Sequence, residues 1–163
     1  MIITRAFVNP ELMIAQGVMA FGIFVDIDPV CEDRMIIEAH KAREAYKGDI
    51  ILKFANQTLK GAIEPTAQKW FNIGAEMIDM IGSLPYRDER DYGRGLKAMD
   101  ILLDKAKSLG IMCHVHVDKF NTPTEKETEQ LCDKTIEHGM QGQVVGIHGI
   151  YRNPSARISL SAV

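Results

Sequence analysis

The stretch CHVHVDK at residues 113–119 alternates between apolar and polar side chains. Successive side chains of a β-strand point to opposite faces, so a strand here places both histidines and Asp118 on one face and the apolar residues on the other. Such a strand carries side chains that can bind a metal or transfer a proton. The apolar run QVVGIHG at residues 143–149 also ends in a histidine.

Working outward from this stretch, the chain repeats one pattern five times: an amphipathic helix, a glycine, and a short apolar run. Glycine adopts the left-handed conformation at little cost, so it is a typical helix stop. These glycines are Gly17, Gly48, Gly74, Gly110 and Gly139. The predicted strands cover residues 20–26, 49–56, 75–81, 111–118 and 143–148. The predicted helices cover residues 10–16, 31–47, 65–73, 93–109 and 124–138.

Strands that alternate with helices about every 30 residues predict βαβ units and a parallel sheet. The helix from residue 124 begins with Thr-Glu-Lys-Glu, which is typical of a capping box. The charged run RDER at residues 87–90 is predicted to be a solvated loop, from which Arg87 could reach an anionic substrate. Residues 93–95 form a lone Gly-x-Gly that lacks the strand and third glycine of a dinucleotide-binding fingerprint.

Composition sets the broad class of the protein. With 163 residues and 46% hydrophobic content, the chain can form one globular domain. The net charge of −3 predicts no nucleic-acid binding. No apolar run approaches the ~20 residues of a membrane span, and the N-terminus lacks the features of a signal peptide, so we expect a cytoplasmic protein. Three cysteines without CxxC spacing indicate reduced thiols.

Parallel α/β folds bind ligands outside the carboxyl ends of their strands. Polar or small residues at the predicted ends are Asp26, Asp28, Asn56, Gln57, Gly82, Ser83, His116, Asp118, Lys119 and His148. His116 and His148 end consecutive strands, so they could face one metal or one substrate. Neutral imidazole is a common metal ligand, and three protein ligands with one open position are typical of catalytic zinc.

Structural roles compete with this interpretation for every histidine. His40 and His138 lie on predicted helices, where we expect purely structural roles. His114 lies about 7 Å deeper along the strand than His116, which favours a supporting or core role over direct metal binding. His116 alone fits a polar strand end nearly as well as a ligand. The pairing of His116 with His148 at matching strand ends favours a site.

Four segments resemble the amidohydrolase superfamily, in its cytosine deaminase-like branch. HVHVDKFNTPTEKETEQLCDKTIEHGMQGQVVGIHGI, residues 114–150, resembles strands five and six of that family. FVDIDP at 24–29, FANQTLKG at 54–61 and LPYRDERDYGRGL at 84–96 are similar to the second, third and fourth βα units. The resemblance covers about residues 9–150.

The resemblance implies a (β/α)₈ TIM-type barrel with one or two divalent metals, zinc or iron, at the strand ends. These metals activate water to hydrolyse C–N bonds of small cyclic or amide substrates. It implies that His116 is a metal ligand and that His148 binds a second metal or orients the water. Asn56 or Gln57 falls where the branch places a substrate-contacting amide.

Asp118 and Lys119 are the catalytic candidates that follow the strand-five histidine. Lys119 stands where cytosine deaminases carry a catalytic glutamate, which makes cytosine itself a doubtful substrate. The family's strand-one His-x-His pair and its strand-eight aspartate are not matched. Five βα units also fall short of the ~250 residues of a closed barrel. We therefore expect a truncated barrel over residues 1–150.

Residues 151–163 do not resemble the family, and we expect them to be a tail produced by a shifted or truncated reading frame. A five-stranded parallel fragment has two open edges, so we expect a homo-oligomer or partial disorder at the ends. Three functions stay open. The chain could be a hydrolase completed by association, with Asp26, Asp28 or Asp118 replacing missing ligands, or an inert fragment. It could also be a monomeric open-sheet α/β module that binds a small molecule without catalysis.

Overall fold

The computed structural model describes residues 10–57, 59–120, 122 and 124–149. This part of the chain contains five strands and six helices. The strands are β1 Ala20–Asp26, β2 Ile51–Gln57, β3 Met80–Ser83, β4 Met112–Val117 and β5 Val144–His148. The helices are α1 Pro10–Ala15, α2 Arg34–Ala45, α3 Pro65–Ala75, α4 Pro85–Tyr92, α5 Gly95–Leu109 and α6 Glu127–Glu137.

The five strands form one sheet in the order β1-β2-β3-β4-β5, and every neighbouring pair is parallel. Parallel neighbours need long crossovers, which the intervening helices supply. The sheet curls into a half-barrel, so the predicted α/β fold with a truncated TIM-type barrel is confirmed. We call the end where the strands terminate the mouth, and the opposite end, where they begin, the base. The mouth is formed by Asp26, Gln57, Ser83, Val117 and His148.

The two faces of the sheet have different surroundings. Val25, Phe54 and Val115 point toward the helices and are buried in two apolar clusters. Burial of this apolar surface is the main force holding helices to sheet. The alternate residues line the inner, concave face, where Met112 and Val145 remain 41% and 36% exposed. The inner face therefore carries side chains that are not needed for the core.

Four of the five predicted helix stops are confirmed, since the glycines after α1, α2, α5 and α6 all have positive φ. Gly74 is the exception, because it lies inside α3. A Cβ at Gly74 would lie 2.9 Å from Ile27 Cδ1, so this glycine lets the helix pack closely against Ile27. The helix continues to Ala75, and the predicted strand at 75–81 was wrong because β3 begins at Met80.

Two local predictions around the loops were also wrong. Residues 87–90 lie in α4 and not in a solvated loop, because Asp88 is fully buried and bound to a distant backbone segment. Helix α6 begins at Glu127 without a side-chain cap, so the capping box at Thr124 does not form. The Glu125 carboxylate instead accepts hydrogen bonds from the N–H groups of Phe120 and Thr122, at 2.6 and 2.8 Å.

The predicted division of the chain into a barrel unit and a tail involves residues beyond the described ranges. The tail at 151–163 lies outside the described residues, so its separation from a barrel unit at 1–150 stays a prediction.

The three cysteines are free. No helix in the described ranges is long and apolar enough to cross a membrane.

Candidate active site

The centre of the candidate site is a pair of histidines at the mouth. His116 lies in β4 and His148 ends β5, and these two strands are neighbours in the sheet. His116 Nδ1 and His148 Nε2 lie 3.1 Å apart, within hydrogen-bond distance. The structure therefore brings together the two histidines that the sequence placed at matching strand ends.

An unusual backbone conformation makes this contact. His148 is opposite Val117 in the register, and the Val117 side chain is buried toward the helices. A regular strand would turn His148 to that same side. Instead, His148 has a φ of 76°, a left-handed conformation that a side chain other than glycine adopts only at a cost. This φ turns the ring of His148 to the inner face, where it meets His116.

Phe24 also contacts His116, with ring centroids 4.8 Å apart. Phe24 lies in β1, three strands away, which is ~14 Å along a flat sheet, so the contact depends on the curl of the sheet. Gly82 in β3 leaves room between them, because a Cβ there would lie 2.7 Å from the Phe24 ring. The His116 ring thus contacts the rings of both Phe24 and His148.

The chemistry of His116 suits a ligand. Burial lowers its pKa, and the neighbouring His148 lowers it further, so the ring stays neutral near pH 7. Its Nε2 is buried and has no hydrogen-bond partner in the described part of the structure. A buried polar atom without a partner costs free energy unless something binds it. A neutral imidazole can bind a metal through a ring nitrogen, and the nitrogen of His116 that faces His148 is Nδ1.

The two histidines fit part of a metal site. Tetrahedral zinc bound to two imidazoles holds its nitrogens roughly 3.3–3.4 Å apart, given Zn–N bonds of about 2.0–2.1 Å. The separation of 3.1 Å between His116 Nδ1 and His148 Nε2 is close to this value. Among the described residues, however, no group of three or more His, Cys, Asp or Glu side chains could hold a metal. The described residues thus offer two imidazole nitrogens at a suitable separation, which is fewer ligands than a metal site needs.

Asp118 is buried, and its carboxylate is directed to the first turn of α6. It accepts hydrogen bonds from the backbone N–H and the hydroxyl of Thr128. In return, the Glu127 carboxylate accepts the Asp118 N–H at 2.8 Å. These reciprocal bonds join the end of β4 to α6. The predicted catalytic role of Asp118 is not tested by this arrangement, but the carboxylate already has partners.

Lys119 has a different environment. Its Nζ lies 4.3 Å from the centroid of the Tyr86 ring and 5.3 Å from that of Phe120. No ion pair engages Lys119 in the described residues. Its predicted catalytic role also remains a prediction, but the structure shows a cation held by aromatic rings at the mouth.

The two substrate-binding candidates at the end of β2 occupy different positions. Asn56 is fully buried, and its side-chain oxygen accepts the Gly82 N–H at 2.8 Å, which ties β3 to β2. Gln57 is the next residue, half-buried and opposite Asp26 in the register. Because Phe54 faces the helices, alternation places Gln57 on the inner face. Gln57 is therefore the better placed of the two to contact a bound molecule.

The structure also shows a feature that the sequence analysis missed: buried aspartates hold the loops at the mouth. Asp28 Oδ1 accepts the N–H groups of Val30 and Cys31, at 2.7 and 2.9 Å, and so closes the loop after β1. Asp88 accepts the N–H groups of Ala62 and Ile63 at 3.1 Å, which fixes the loop after β2. Asp118 does the same for the loop after β4.

The local sequence indicates a loop-holding role for only one of these aspartates. Asp28 precedes a proline, and aspartate in such a turn commonly bonds the backbone that follows. Asp88 lies 26 residues from Ala62, and nothing near it in the chain indicates the contact. Burial raises the pKa of Asp88, although the N–H groups of Ala62 and Ile63 act in the opposite direction.

Asp26 is the carboxylate that remains at the mouth. Among the candidates to replace a missing ligand, Asp28 and Asp118 are engaged by loops, whereas no hydrogen bond in the described structure engages the side chain of Asp26. Burial raises the pKa of Asp26, and the charge of Asp28 raises it further. Such a carboxyl group can exchange a proton nearer to neutral pH than an exposed aspartate.

The chain resembles a known protein in sequence but matches no family model. No protein-family model matches the chain. An uncharacterized protein of Haemophilus influenzae is 86% identical over 140 residues, which are 86% of this chain and 51% of that protein. The chain therefore spans about half the length of this curated relative.

Solved structures resemble the fold. A 5-methylcytosine deaminase from Klebsiella pneumoniae liganded with 5-fluorocytosine has a TM-score of 0.71 and 23% identity, over 88% of this chain and 39% of that one. Its complex with phosphonocytosine gives a TM-score of 0.70 at 21% identity, over 87% and 37%. N-isopropylammelide isopropylaminohydrolase from Burkholderia multivorans gives 0.71 at 22%, over 82% and 34%. The chain thus shares its fold with the matched parts of these enzymes.

Proposed function

We propose that this chain is part of a metal-dependent hydrolase that cleaves C–N bonds of small cyclic or amide substrates. The observation that carries the proposal is the contact of 3.1 Å between His116 and His148, which His148 makes from a left-handed backbone. Backbone strain of this kind costs free energy and is concentrated at functional sites. A cytoplasmic location, which the three free cysteines fit, belongs to the same proposal.

Five residues at or near the mouth have roles in this proposal. His116 and His148 would hold a divalent metal, which lowers the pKa of bound water toward about 7. Phe24 keeps the His116 ring in place. Gln57 would bind the substrate from the end of β2. Proton transfer falls to Asp26, because its carboxyl group has a raised pKa and no hydrogen-bond partner among the described residues.

The remaining ligands must come from outside the described residues, and a second copy of the chain is the partner that we propose. The outer edges of the sheet are β1 and β5, and neither contains the lysine or proline that commonly protects an edge strand. A two-fold axis along the strands would pair β5 of each copy with β1 of the other. That arrangement keeps all strands parallel and leaves no edge open.

Sedimentation velocity tests this association. We expect a dimer, and Val145→Lys on the inner face of β5 should weaken it. Ile37→Lys on α2 is the matched control, because Ile37 and Val145 are 39% and 36% exposed. A compact monomer at every concentration would contradict the proposed partner.

Metal content per chain tests the hydrolase proposal directly. Purified protein, measured by inductively coupled plasma mass spectrometry, should hold about one divalent metal, which His116→Ala and His148→Ala should remove. His138→Ala is the control, because this histidine contacts Asp100 and Asp104 between α5 and α6, away from the mouth. Hydrolysis of cyclic amidines and amides would then be screened with the loaded protein. Metal-free wild-type protein would contradict the proposal.

A second candidate is an open-sheet α/β module that binds a small molecule without catalysis. The observation that favours it is that no group of three or more ligand side chains converges in the described residues. In this case His116 and His148 together would hold the ligand. The module predicts a metal-free, monomeric protein, so the two experiments above separate it from the hydrolase.

A further inference from the structure

Two loops at the mouth bring a cation and two aromatic rings together. Tyr86 is the second residue of α4, directly after β3, and Lys119 and Phe120 follow β4. Both loops leave the sheet at the end where parallel α/β proteins bind ligands. We call Tyr86, Lys119 and Phe120 the aromatic corner.

The charge of Lys119 is available to a ligand. Lys53, Lys105 and Lys134 each have a carboxylate within 3.0 Å, whereas Lys119 has no ion pair in the described residues. Its ammonium instead lies 4.3 Å from the Tyr86 ring centroid. This cation–π contact restricts a flexible side chain without neutralising its charge. Part of the entropy cost of binding an anion is therefore already met.

The two rings provide surface for a flat molecule. Tyr86 and Phe120 meet edge to face, with centroids 5.1 Å apart and planes at 82°. Phe120 is 56% exposed, so a large part of an aromatic side chain faces solvent at the mouth. A planar ligand stacked on Phe120 would bury this apolar surface and approach Lys119 at the same time.

We propose that the aromatic corner binds the anionic, oxygen-bearing part of a planar ring substrate. The ring would stack on Phe120, and Lys119 would pair with a negatively charged oxygen of that ring. This inference rests on the proposed hydrolase function and specifies its substrate class. An ammonium disfavours cationic substrates such as protonated amidines and favours ring systems that are anions at neutral pH.

Isothermal titration of the full chain with two probes tests this proposal. Barbiturate is a planar oxopyrimidine that is anionic at neutral pH, and uracil is a neutral counterpart. We expect barbiturate to bind at least about tenfold more tightly than uracil, the effect of one charge-assisted contact. Added salt should weaken the binding of barbiturate and leave that of uracil unchanged.

Variants identify the residue responsible. Lys119→Met should remove the preference for barbiturate, and Lys119→Arg should keep it. Lys69→Met is the matched control, because Lys69 also lies over an aromatic ring, 5.7 Å from the centroid of Trp70, but on α3. Phe120→Ala should weaken both probes. No barbiturate binding, equal affinity for the two probes, or an unchanged preference in Lys119→Met would each overturn the proposal.

Metal content separates this inference from the proposed function. Lys119→Met should keep the wild-type metal content, because Lys119 is not a proposed ligand. If the protein binds metal but its preference for barbiturate over uracil is the same in Lys119→Met, only the proposal about the aromatic corner is overturned. A metal-free protein whose preference for barbiturate depends on Lys119 would overturn the hydrolase and support the corner.

Discussion

The base and the mouth of this sheet differ in how completely their polar groups are hydrogen-bonded. At the base, Asp79 directly precedes β3 and accepts hydrogen bonds from Phe54 N–H, Arg43 and Lys53, at 2.9, 2.8 and 3.0 Å. Arg43 also contacts His40, whose other ring nitrogen contacts a backbone carbonyl. Each polar group in this network has a partner.

At the mouth, several buried polar atoms lack partners, although the aspartates that hold the loops have them. His116 Nε2, Asn56 Nδ2 and Ser83 Oγ are buried without a hydrogen bond in the described residues. Asp118 and His148 there have positive φ. Since unpaired groups and strained backbone cost free energy, the difference indicates that the base contributes stability and the mouth is kept for binding. Substitutions at the two ends should therefore have different effects.

The largest effect is expected at the base. Asp79→Ala removes the acceptor that Phe54 N–H, Arg43 and Lys53 share, which leaves a half-buried guanidinium and a backbone N–H without it. We expect the free energy of unfolding to fall by about 2–4 kcal/mol, measured by chemical denaturation.

Glu76→Ala is the control for this substitution. Glu76 forms a surface ion pair with Lys105 and should cost less than ~1 kcal/mol. Equal small losses in both variants would show that the Asp79 network does not stabilise the fold more than a surface pair.

The next largest effect is expected from acid, which should reduce the stability that the Asp79 network contributes at the base of the sheet. Burial acts to raise the pKa of Asp79, but the Phe54 N–H and the charges of Lys53 and Arg43 outweigh it and lower the pKa below 3.8. A lowered carboxyl pKa contributes stability that is present above about pH 4 and is lost as the pH falls through the folded-state pKa. Between pH 5 and pH 3, wild type should lose more stability than Asp79→Asn in denaturant titrations. Parallel losses would contradict this contribution.

The same contrast decides what the sequence could predict. The five βα units follow from patterns within each segment, namely alternation, helical spacing and glycine stops. The nearness of His116 and His148 follows from their positions at matching strand ends. The buried position of Asp88 does not, because its partners lie 25–26 residues away. Local sequence therefore presents Asp88 as one charge in a solvated run.

The mouth was also harder to predict because it departs from regular geometry. Alternation alone turns His148 toward the helices, and only its φ of 76° brings it to His116. The start of β3 lies later than predicted for a similar reason, since Gly74 serves close packing against Ile27 and does not end the helix. Backbone strain and long-range packing leave no periodic signal in a single sequence.

A substitution at His148 should separate stability from binding. His148→Gly relieves the left-handed strain, so the free energy of unfolding should stay level or rise by up to ~1 kcal/mol. His148→Ala keeps the unfavourable φ and loses the contact with His116, so it should be the less stable of the two. Both variants should lose the metal. A glycine variant less stable than the alanine variant would show that His148 is not strained.

The smallest effect is expected at Ser83, whose hydroxyl is fully buried and has no partner among the described residues. Ser83→Ala removes an unsatisfied polar group without changing the backbone, so it should raise the free energy of unfolding by about 0.5–1 kcal/mol. Ser108→Ala is the matched control, because that exposed hydroxyl donates to the Lys105 carbonyl at 2.8 Å and its removal should be close to neutral. If Ser83→Ala instead destabilises the protein, the hydroxyl has a hydrogen-bond partner in solution. Fewer polar groups at the mouth would then lack partners than the comparison with the base implies.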